Sequence, residues 1–214
     1  MTDALSAPLW NASISPDTEP HQITLGRGEW IDTKRNNRKI LYKTYRPLDA
    51  GDGPFPVILW SHGLGGSREG AGFISRFIAS HGYIVIHIQH HGTDSSLWEG
   101  KPGHPWDVIR NTHIPRHATL NRFKDVPFAL DQLATLDIAP YMDLENIGMS
   151  GHSFGAMTTQ VMAGQKRGHG KRQYDLYEPR FKAGILYSPG PHMDKRDHTA
   201  EDFYGSFKIP LMTM

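Results

Sequence analysis

Short apolar runs alternate with amphipathic segments along most of the chain. Two stretches, 22–26 and 38–45, alternate apolar and polar residues as half-buried strands do, and the polar residues 32–38 between them predict a hairpin turn. The runs 55–60 and 83–88 are apolar and too short for helices, which is typical of buried parallel strands. The first part of the chain is therefore predicted to form a sheet.

Three segments with apolar residues at helical spacing lie between or after these strands. They are 71–81, 118–136 and 154–166, and Pro127 inside the second segment predicts a kink or a division of that helix. Three more short strands are predicted, at 146–150, 182–187 and 209–214. Alternating strands and helices predict an α/β fold with a mostly parallel sheet, helices on both faces, and a site at the carboxyl ends of the strands.

Two segments fit neither pattern. Residues 1–21 are polar without a period and predict an irregular N-terminal arm, which leaves 22–214 as one domain. Residues 92–116 contain glycines, prolines and two tryptophans but no clear period. An irregular segment of that length in a compact domain is usually functional or disordered, and two interpretations stay open: a lid over a pocket, or a surface loop pinned by Trp98 and Trp106.

Composition narrows the classes of function. The net charge of +1 over 214 residues argues against a nucleic-acid partner, and the absence of cysteine excludes disulfides and a cysteine nucleophile. No signal peptide or transmembrane segment is recognisable, so a cytoplasmic protein is expected. The histidines include His113 and His117 at helical spacing, but Pro115 between them argues against a regular helix there, and no metal is expected.

The strongest chemical motif is Gly151-His152-Ser153-Phe154-Gly155, a G-x-S-x-G pattern between a predicted strand and a predicted helix. A nucleophile on such a sharp turn has a strained backbone, and Gly151 and Gly155 let the strand and the helix approach each other. Ser153 is therefore the candidate catalytic nucleophile. The alternative is a serine in a tight glycine turn without catalytic function.

A glycine-rich loop, residues 60–67, follows the predicted strand at 55–60. A loop at this position can donate a backbone N–H to an oxyanion, so the predicted donors are the N–H groups of Leu64 and of Phe154. A nucleotide-binding loop is the rival interpretation, but the third glycine of its G-x-G-x-x-G pattern is missing. His62 and His152 are predicted to be structural.

The roles of four further polar residues are predicted from their positions in the predicted strands and helices. His90 and His91 end a predicted parallel strand, so they are candidates to line the substrate pocket, with packing at the strand end as the alternative. Arg122 and Asp125 are three residues apart on a predicted helix and are expected to form a solvated pair.

Three segments together resemble a known family. The runs His62–Gly66, Ala79–Val85 and Gly151–Gly155 are similar to the plasma-type platelet-activating-factor acetylhydrolases and to the related bacterial dienelactone-hydrolase-like group. The resemblance implies an α/β-hydrolase fold and a Ser-Asp-His esterase without metal or organic cofactor. It implies small-molecule, lipid or polyester esters as substrates, without selecting among them or giving an oligomeric state.

The chain departs from that family at the acid. Ser188 occupies the position of the aspartate after the strand at 182–187, and Met214 ends the sequence in the next strand. We therefore expect the triad acid and base beyond residue 214, so that the chain alone is weakly active or inactive. Within the chain, Asp194, Asp197 and His198 are the possible substitutes.

Two other functions remain open at this stage. The same scaffold also supports acyl transfer or thioester hydrolysis, and a chain that has lost its triad could be a non-catalytic binding module.

Overall fold

A seven-stranded sheet organises the part of the chain that the structure describes. The computed structural model describes residues 21–48, 51, 53–166, 175–190 and 204–214. The strands are β1 (Ile23–Asp32), β2 (Arg38–Pro47), β3 (Phe55–Ser61), β4 (Ile84–Gln89), β5 (Met142–His152), β6 (Phe181–Tyr187) and β7 (Leu211–Thr213). The helices are α1 (Gly72–Ser80), α2 (Pro105–Arg110), α3 (Arg116–Gln132) and α4 (Phe154–Met162).

The strand order in the sheet is β1-β2-β4-β3-β5-β6-β7. β1 and β2 form the predicted antiparallel hairpin, and β2 is also antiparallel to β4. The remaining neighbours run parallel, so the predicted α/β fold with a mostly parallel sheet is confirmed. The carboxyl ends of β3, β4, β5 and β6 consequently lie at one edge of the sheet.

Both faces of β3 are buried, because its side chains alternate between two layers. Val57 and Leu59 join a core cluster that includes residues of α3 and α4. Ile58 and Trp60 belong to a second cluster that includes residues of α1. Burial on both faces accounts for the continuous apolar run of β3.

Three local features differ from the sequence-based expectations. Of the predicted kink or division at Pro127, the division is wrong, because α3 runs through the proline as one helix, and its buried residues Phe123, Val126 and Leu130 pack in the core on both sides of it. The helix α2 was not predicted, since six residues are too few to show a period. Strand β5 begins at Met142, before the predicted 146. None of the helices in the described ranges has the length and apolar character that a membrane crossing requires.

Candidate active site

Ser153 occupies a strained turn between β5 and α4. Its backbone has φ 53° and ψ −110°, outside the regions that non-glycine residues ordinarily adopt. The N–H of Ser153 donates a hydrogen bond to the carbonyl of Tyr187 at 2.9 Å, which ties the turn to the end of β6. The residue itself is exposed. Surrounding structure thus holds a strained serine at the surface, as is common at functional sites.

The two glycines of the motif let α4 lie against the end of β3. A Cβ on Gly155 would come 2.7 Å from the carbonyl carbon of Ser61 and 3.0 Å from the carbonyl oxygen of His62. A Cβ on Gly151 would come 2.7 Å from the carbonyl oxygen of Ser61. Neither backbone position can accept a side chain without a shift of β3, so these glycines have a steric reason in the fold.

The loop after β3 is held in place by hydrogen bonds from the segment after β4. The N–H of Gly65 donates to the carbonyl of Thr93 at 2.9 Å, and the indole N–H of Trp98 donates to the carbonyl of Gly65 at 2.7 Å. Within the described residues, the N–H groups of Leu64 and Phe154 have no acceptor. Two unused backbone donors therefore lie on the segments next to Ser153, and an oxyanion could use both.

A cavity of about 490 Å³ contains Ser153 and Leu64 in its lining. Residues of the segment 92–116, for which the sequence predicts a lid or a pinned surface loop, form part of the cavity wall. The lining residues from that segment are Trp98, Pro105, Trp106 and Ile109. His152 also lines the cavity and is exposed.

His62 is part of the scaffold of the loop. Its Nδ1 donates to the carbonyl of Gly63 at 2.6 Å, and its Nε2 accepts the N–H of His90 at 3.0 Å. Burial, reinforced by the nearby Arg122, holds the pKa of His62 well below its usual value. A neutral imidazole with both nitrogens engaged is unavailable as a general base for Ser153.

His90 and His91 lie apart from the cavity. His90 is fully buried, with Nε2 2.9 Å from Ser61 Oγ and Nδ1 3.0 Å from Asp125 Oδ2. His91 is exposed, and its Nδ1 lies 4.0 Å from Asp94. Neither is among the residues that line the cavity of Ser153. Side chains at the end of β4 thus reach the interior or the solvent, and His90 joins a buried polar network.

The expected solvated pair of Arg122 and Asp125 is wrong. Both side chains have no exposed surface, and instead of pairing with each other they bind different partners. Ala118 and Ala129 are buried on the same helix and lie four or seven positions from each of the two charged residues, so the helical spacing predicts both charges on the buried face. That spacing was the signal that could have revealed them.

Asp125 is the anionic centre of this network. It accepts hydrogen bonds at 2.7 Å from Arg35 and Arg38 and at 3.0 Å from His90. Burial opposes its ionisation, but the hydrogen bonds from Arg38 and His90 outweigh that cost and hold the pKa of Asp125 at about 2. Burial lowers the pKa of His90 to about 4, so His90 is neutral near pH 7.

The contacts place Ser61, His90 and Asp125 in the hydrogen-bond order of a catalytic triad. Arg122 donates to Ser61 Oγ, so the Ser61 hydroxyl donates to His90 Nε2 while His90 Nδ1 donates to Asp125. Ser61 has no exposed surface, however, and a substrate carbonyl cannot reach its oxygen. This arrangement is therefore structural, and Ser153 remains the candidate nucleophile.

The acid and base expected from the resemblance have no described counterpart beside Ser153. Ser188 lies directly after β6 with φ 47°, is exposed, and donates its N–H to the carbonyl of Met214 at 2.8 Å. Asp194, Asp197 and His198 lie outside the described residues. Within the described part of the chain, no side chain hydrogen-bonds to Ser153 Oγ, and no three metal-ligating side chains cluster.

Comparison with known proteins bears out the resemblance in sequence. Residues 31–99 match the sequence profile of the family described as platelet-activating factor acetylhydrolase, isoform II. Platelet-activating factor acetylhydrolase of Canis lupus familiaris is 29% identical, over 52% of this chain and 32% of the canine protein. The match thus spans about a third of the length of that relative.

Solved structures match over most of the chain. A protein from Klebsiella pneumoniae assigned as a dienelactone hydrolase has a TM-score of 0.63 at 16% identity, covering 90% of this chain and 72% of its own. Ferulic acid esterase from Streptomyces cinnamoneus has a TM-score of 0.60 at 17% identity, covering 93% and 74%. The chain therefore has the α/β-hydrolase fold and resembles the platelet-activating factor acetylhydrolases in sequence.

Proposed function

We propose that this chain carries the nucleophile and the oxyanion hole of a serine hydrolase that cleaves carboxylic esters. The observation that carries the proposal is Ser153 itself, which is strained, exposed and placed on a cavity at the junction of β5 and α4. The N–H groups of Leu64 and Phe154 lie on the adjoining segments without acceptors in the described part of the chain. An acetylhydrolase and a ferulic acid esterase among the similar proteins support ester substrates.

The chemistry follows from these groups. The Ser153 hydroxyl loses its proton to a general base, for which His198, outside the described residues, is the candidate within the chain, as Oγ attacks the ester carbonyl carbon; the carbonyl oxygen becomes an oxyanion, and the protonated base later returns the proton to the leaving alcohol. The N–H groups of Leu64 and Phe154 donate to that oxyanion, and the positive end of the α4 dipole favours the negative charge. Collapse of the tetrahedral adduct expels the alcohol, and water then hydrolyses the acyl-enzyme to the acid and free Ser153.

The cavity favours uncharged groups on both sides of the ester bond. Trp98, Trp106 and Ile109 give it apolar walls, and among the described residues that line it none is an aspartate, glutamate, lysine or arginine. An ionised acyl or alcohol group would lose its hydration there without gaining a partner. We therefore infer that the preferred substrates are esters with apolar, uncharged groups next to the carbonyl.

Covalent labelling tests the proposal directly. The full chain is treated with a fluorophosphonate, and the modified residue is identified by peptide mass spectrometry. Ser153→Ala is compared with Ser67→Ala, because Ser67 is a second serine in the lining of the same cavity. Because no side chain of the described residues hydrogen-bonds to Ser153 Oγ, we expect slow labelling that is confined to Ser153, absent in Ser153→Ala and unchanged in Ser67→Ala.

The opposite results are equally informative. Label on Ser67, or equal label in Ser153→Ala and the wild-type chain, would assign the nucleophile elsewhere. No label on the folded wild-type chain would contradict an activated serine in this chain. Stoichiometric label would mean that the chain also supplies the proton acceptor, and His198→Ala would then test the residue named from the sequence.

A further inference from the structure

Arg122 is a buried cation that hydrogen-bonds to no carboxylate among the described residues. Its guanidinium donates to Thr158 Oγ1 at 2.8 Å, to Thr93 Oγ1 at 3.0 Å and to Ser61 Oγ at 2.7 Å. It also donates to the carbonyl oxygen of His62. Burial without such a partner lowers the pKa of Arg122 to about 9, so the fold bears a cost for placing this charge here.

The partners of Arg122 lie on both sides of the candidate oxyanion hole. The His62 carbonyl belongs to the peptide that leads, through Gly63, to the N–H of Leu64. On the other side, the guanidinium carbon lies 4.5 Å from the centre of the Phe154 ring, at the residue that carries the second donor. Thr158, one turn further along α4, is bound by Nε. One side chain thus contacts both segments that hold the two donors.

A planar guanidinium is suited to this arrangement. Its donors point in fixed directions in one plane, while its face remains free to stack on a ring. Arg122 uses the edges for Thr158, Thr93 and the His62 carbonyl, and the face for Phe154. A lysine ammonium has one charged nitrogen and cannot reach all of these groups from the same position.

We propose that Arg122 is a positioning residue of the oxyanion hole, whose guanidinium sets the place of the Leu64 N–H relative to that of Phe154. This inference rests on the proposed function, because the two donors have a catalytic role only in that reaction. Arg122 is itself buried beneath the loop and does not line the cavity of Ser153, so it acts through its neighbours.

The test compares Arg122→Lys and Arg122→Met with the full wild-type chain. The first readout is amide hydrogen exchange of the peptide that contains Gly65, whose N–H is bonded to the carbonyl of Thr93. We expect exchange at Gly65 to accelerate about tenfold in both variants, because the loop loses a buried hydrogen-bond partner. Exchange in the core strand β4 should change only by the amount that the change in unfolding free energy requires.

The second readout is the kinetics of 4-nitrophenyl acetate hydrolysis. A displaced oxyanion donor weakens binding of the transition state and not of the ester, so kcat should fall about 10-fold to 100-fold while KM stays within about 2-fold. Arg180→Met is the matched control, since Arg180 binds Glu178, Asp131 and the carbonyl of Pro127 in α3 but has no contact with the loop. Its loss should lower stability and leave kcat and Gly65 exchange unchanged.

The outcomes separate this inference from the function on which it rests. Unchanged Gly65 exchange in Arg122→Met, or a kcat loss in Arg180→Met of the same size, would overturn the positioning role. Failure of Ser153 to react with a fluorophosphonate would overturn the proposed function, while the exchange readout would still test whether Arg122 orders the loop. If Arg122→Met does not fold, Gly65 exchange in Arg122→Lys tests the positioning role, because lysine keeps the charge and most of the side-chain volume.

Discussion

The backbone of Ser61 fills the space into which a side chain on Gly155 would project. A Cβ on Gly155 would lie 2.7 Å from the Ser61 carbonyl carbon. Ser61 ends β3 and Gly155 is the second residue of α4, so this contact brings the loop of Leu64 and the turn of Ser153 together. The alignment of Ser153 with the N–H groups of Leu64 and Phe154 thus depends on the absence of one methyl group.

Gly155→Ala should destabilise the fold more than an ordinary glycine-to-alanine change. The added methyl meets backbone atoms that can give way only if β3 or α4 shifts, so we expect the free energy of unfolding to fall by about 3 kcal/mol. Urea denaturation monitored by circular dichroism measures it. Gly190→Ala is the control, since a Cβ there has no neighbour within 4 Å among the described residues, and its effect should stay within about 0.5 kcal/mol. Equal stability of the two variants would contradict the steric role of Gly155.

Leu64 should matter through its backbone and not through its side chain. Leu64→Ala keeps the N–H, so the rate of fluorophosphonate reaction at Ser153 should change little. Leu64→Pro removes the N–H, and the rate should fall about 100-fold to 1000-fold, the usual effect of losing one oxyanion donor. Circular dichroism and urea denaturation establish that both variants fold. If Leu64→Pro folds and reacts at the wild-type rate, Leu64 does not donate to the oxyanion.

The two tryptophans of the predicted lid should have different roles. Trp106 lines the cavity and is 58% exposed, so Trp106→Ala should raise KM for apolar esters several-fold without loss of stability. Phe73→Ala is the control, because Phe73 is more exposed, at 76%, but does not line the cavity. KM values for a series of 4-nitrophenyl esters provide the measurement. An equal KM change in the two variants would argue against a substrate-binding role for Trp106.

Trp98 is expected to hold the loop and not only to contact the substrate. Its indole N–H donates to the Gly65 carbonyl at 2.7 Å, and Trp98→Phe removes that bond while keeping an aromatic ring. The loss of one buried hydrogen bond should lower the free energy of unfolding by about 1 kcal/mol and accelerate exchange at the loop. Urea denaturation and hydrogen exchange of the same samples check both effects. Unchanged loop exchange in Trp98→Phe would refute this anchoring role.

Stability should decline as the pH falls from about 6.5 toward 4. Burial holds the pKa of His62 well below its usual value and lowers the pKa values of His87 and His90 to about 4. In the unfolded chain these histidines bind protons near pH 6.5, whereas in the folded protein His87 and His90 stay neutral until about pH 4, and burial keeps His62 neutral well below its usual pKa. The unfolded state therefore binds more protons across this interval, and each histidine contributes a slope of about 1.4 kcal/mol per pH unit.

His87→Gln should reduce that slope by about one proton. His87 is bonded to Ser75 and to the carbonyl of Arg68, so the substitution also lowers stability at neutral pH, but the pH dependence is the diagnostic quantity. Urea denaturation at several pH values between about 4.5 and 7 measures the slope of the unfolding free energy against pH. His113→Gln, at an exposed position, should leave the slope unchanged. A slope that is the same in both variants would show that His87 takes up its proton in the folded state.

Much of the fold was predictable because its signals are local. The alternation in β1 and β2 and the apolar runs of β3 and β4 depend on which faces of a strand are buried, and consecutive residues show this. The turn at Ser153 is likewise recognisable from five consecutive residues, because the close approach of β3 and α4 requires glycine at positions 151 and 155. The short helix α2 escaped prediction because it is a single exposed segment of six residues.

The polar network beneath the loop could not be predicted in the same way. An arginine on a helix is normally solvated, and the partners that bury Arg122 are 29 to 61 residues away in sequence. His90 was assigned to the pocket from its place at a strand end, but Asp125 and Ser61 hold it in the interior. Whether a polar side chain is buried depends on the hydrogen-bond partners that the fold supplies, and the pattern of residues close in sequence does not identify those partners.

The sequence by itself determined the α/β class, the succession of the main strands along the chain and the turn that presents Ser153, because each follows from local sterics or from periodic burial. Only the tertiary structure decided that Arg122 lies beneath the loop of Leu64, that His90 is buried in the interior and does not line the cavity, and that Trp98 and Trp106 line it. These relationships depend on long-range contacts, in which the desolvation of each polar group is offset by hydrogen bonds from distant parts of the chain.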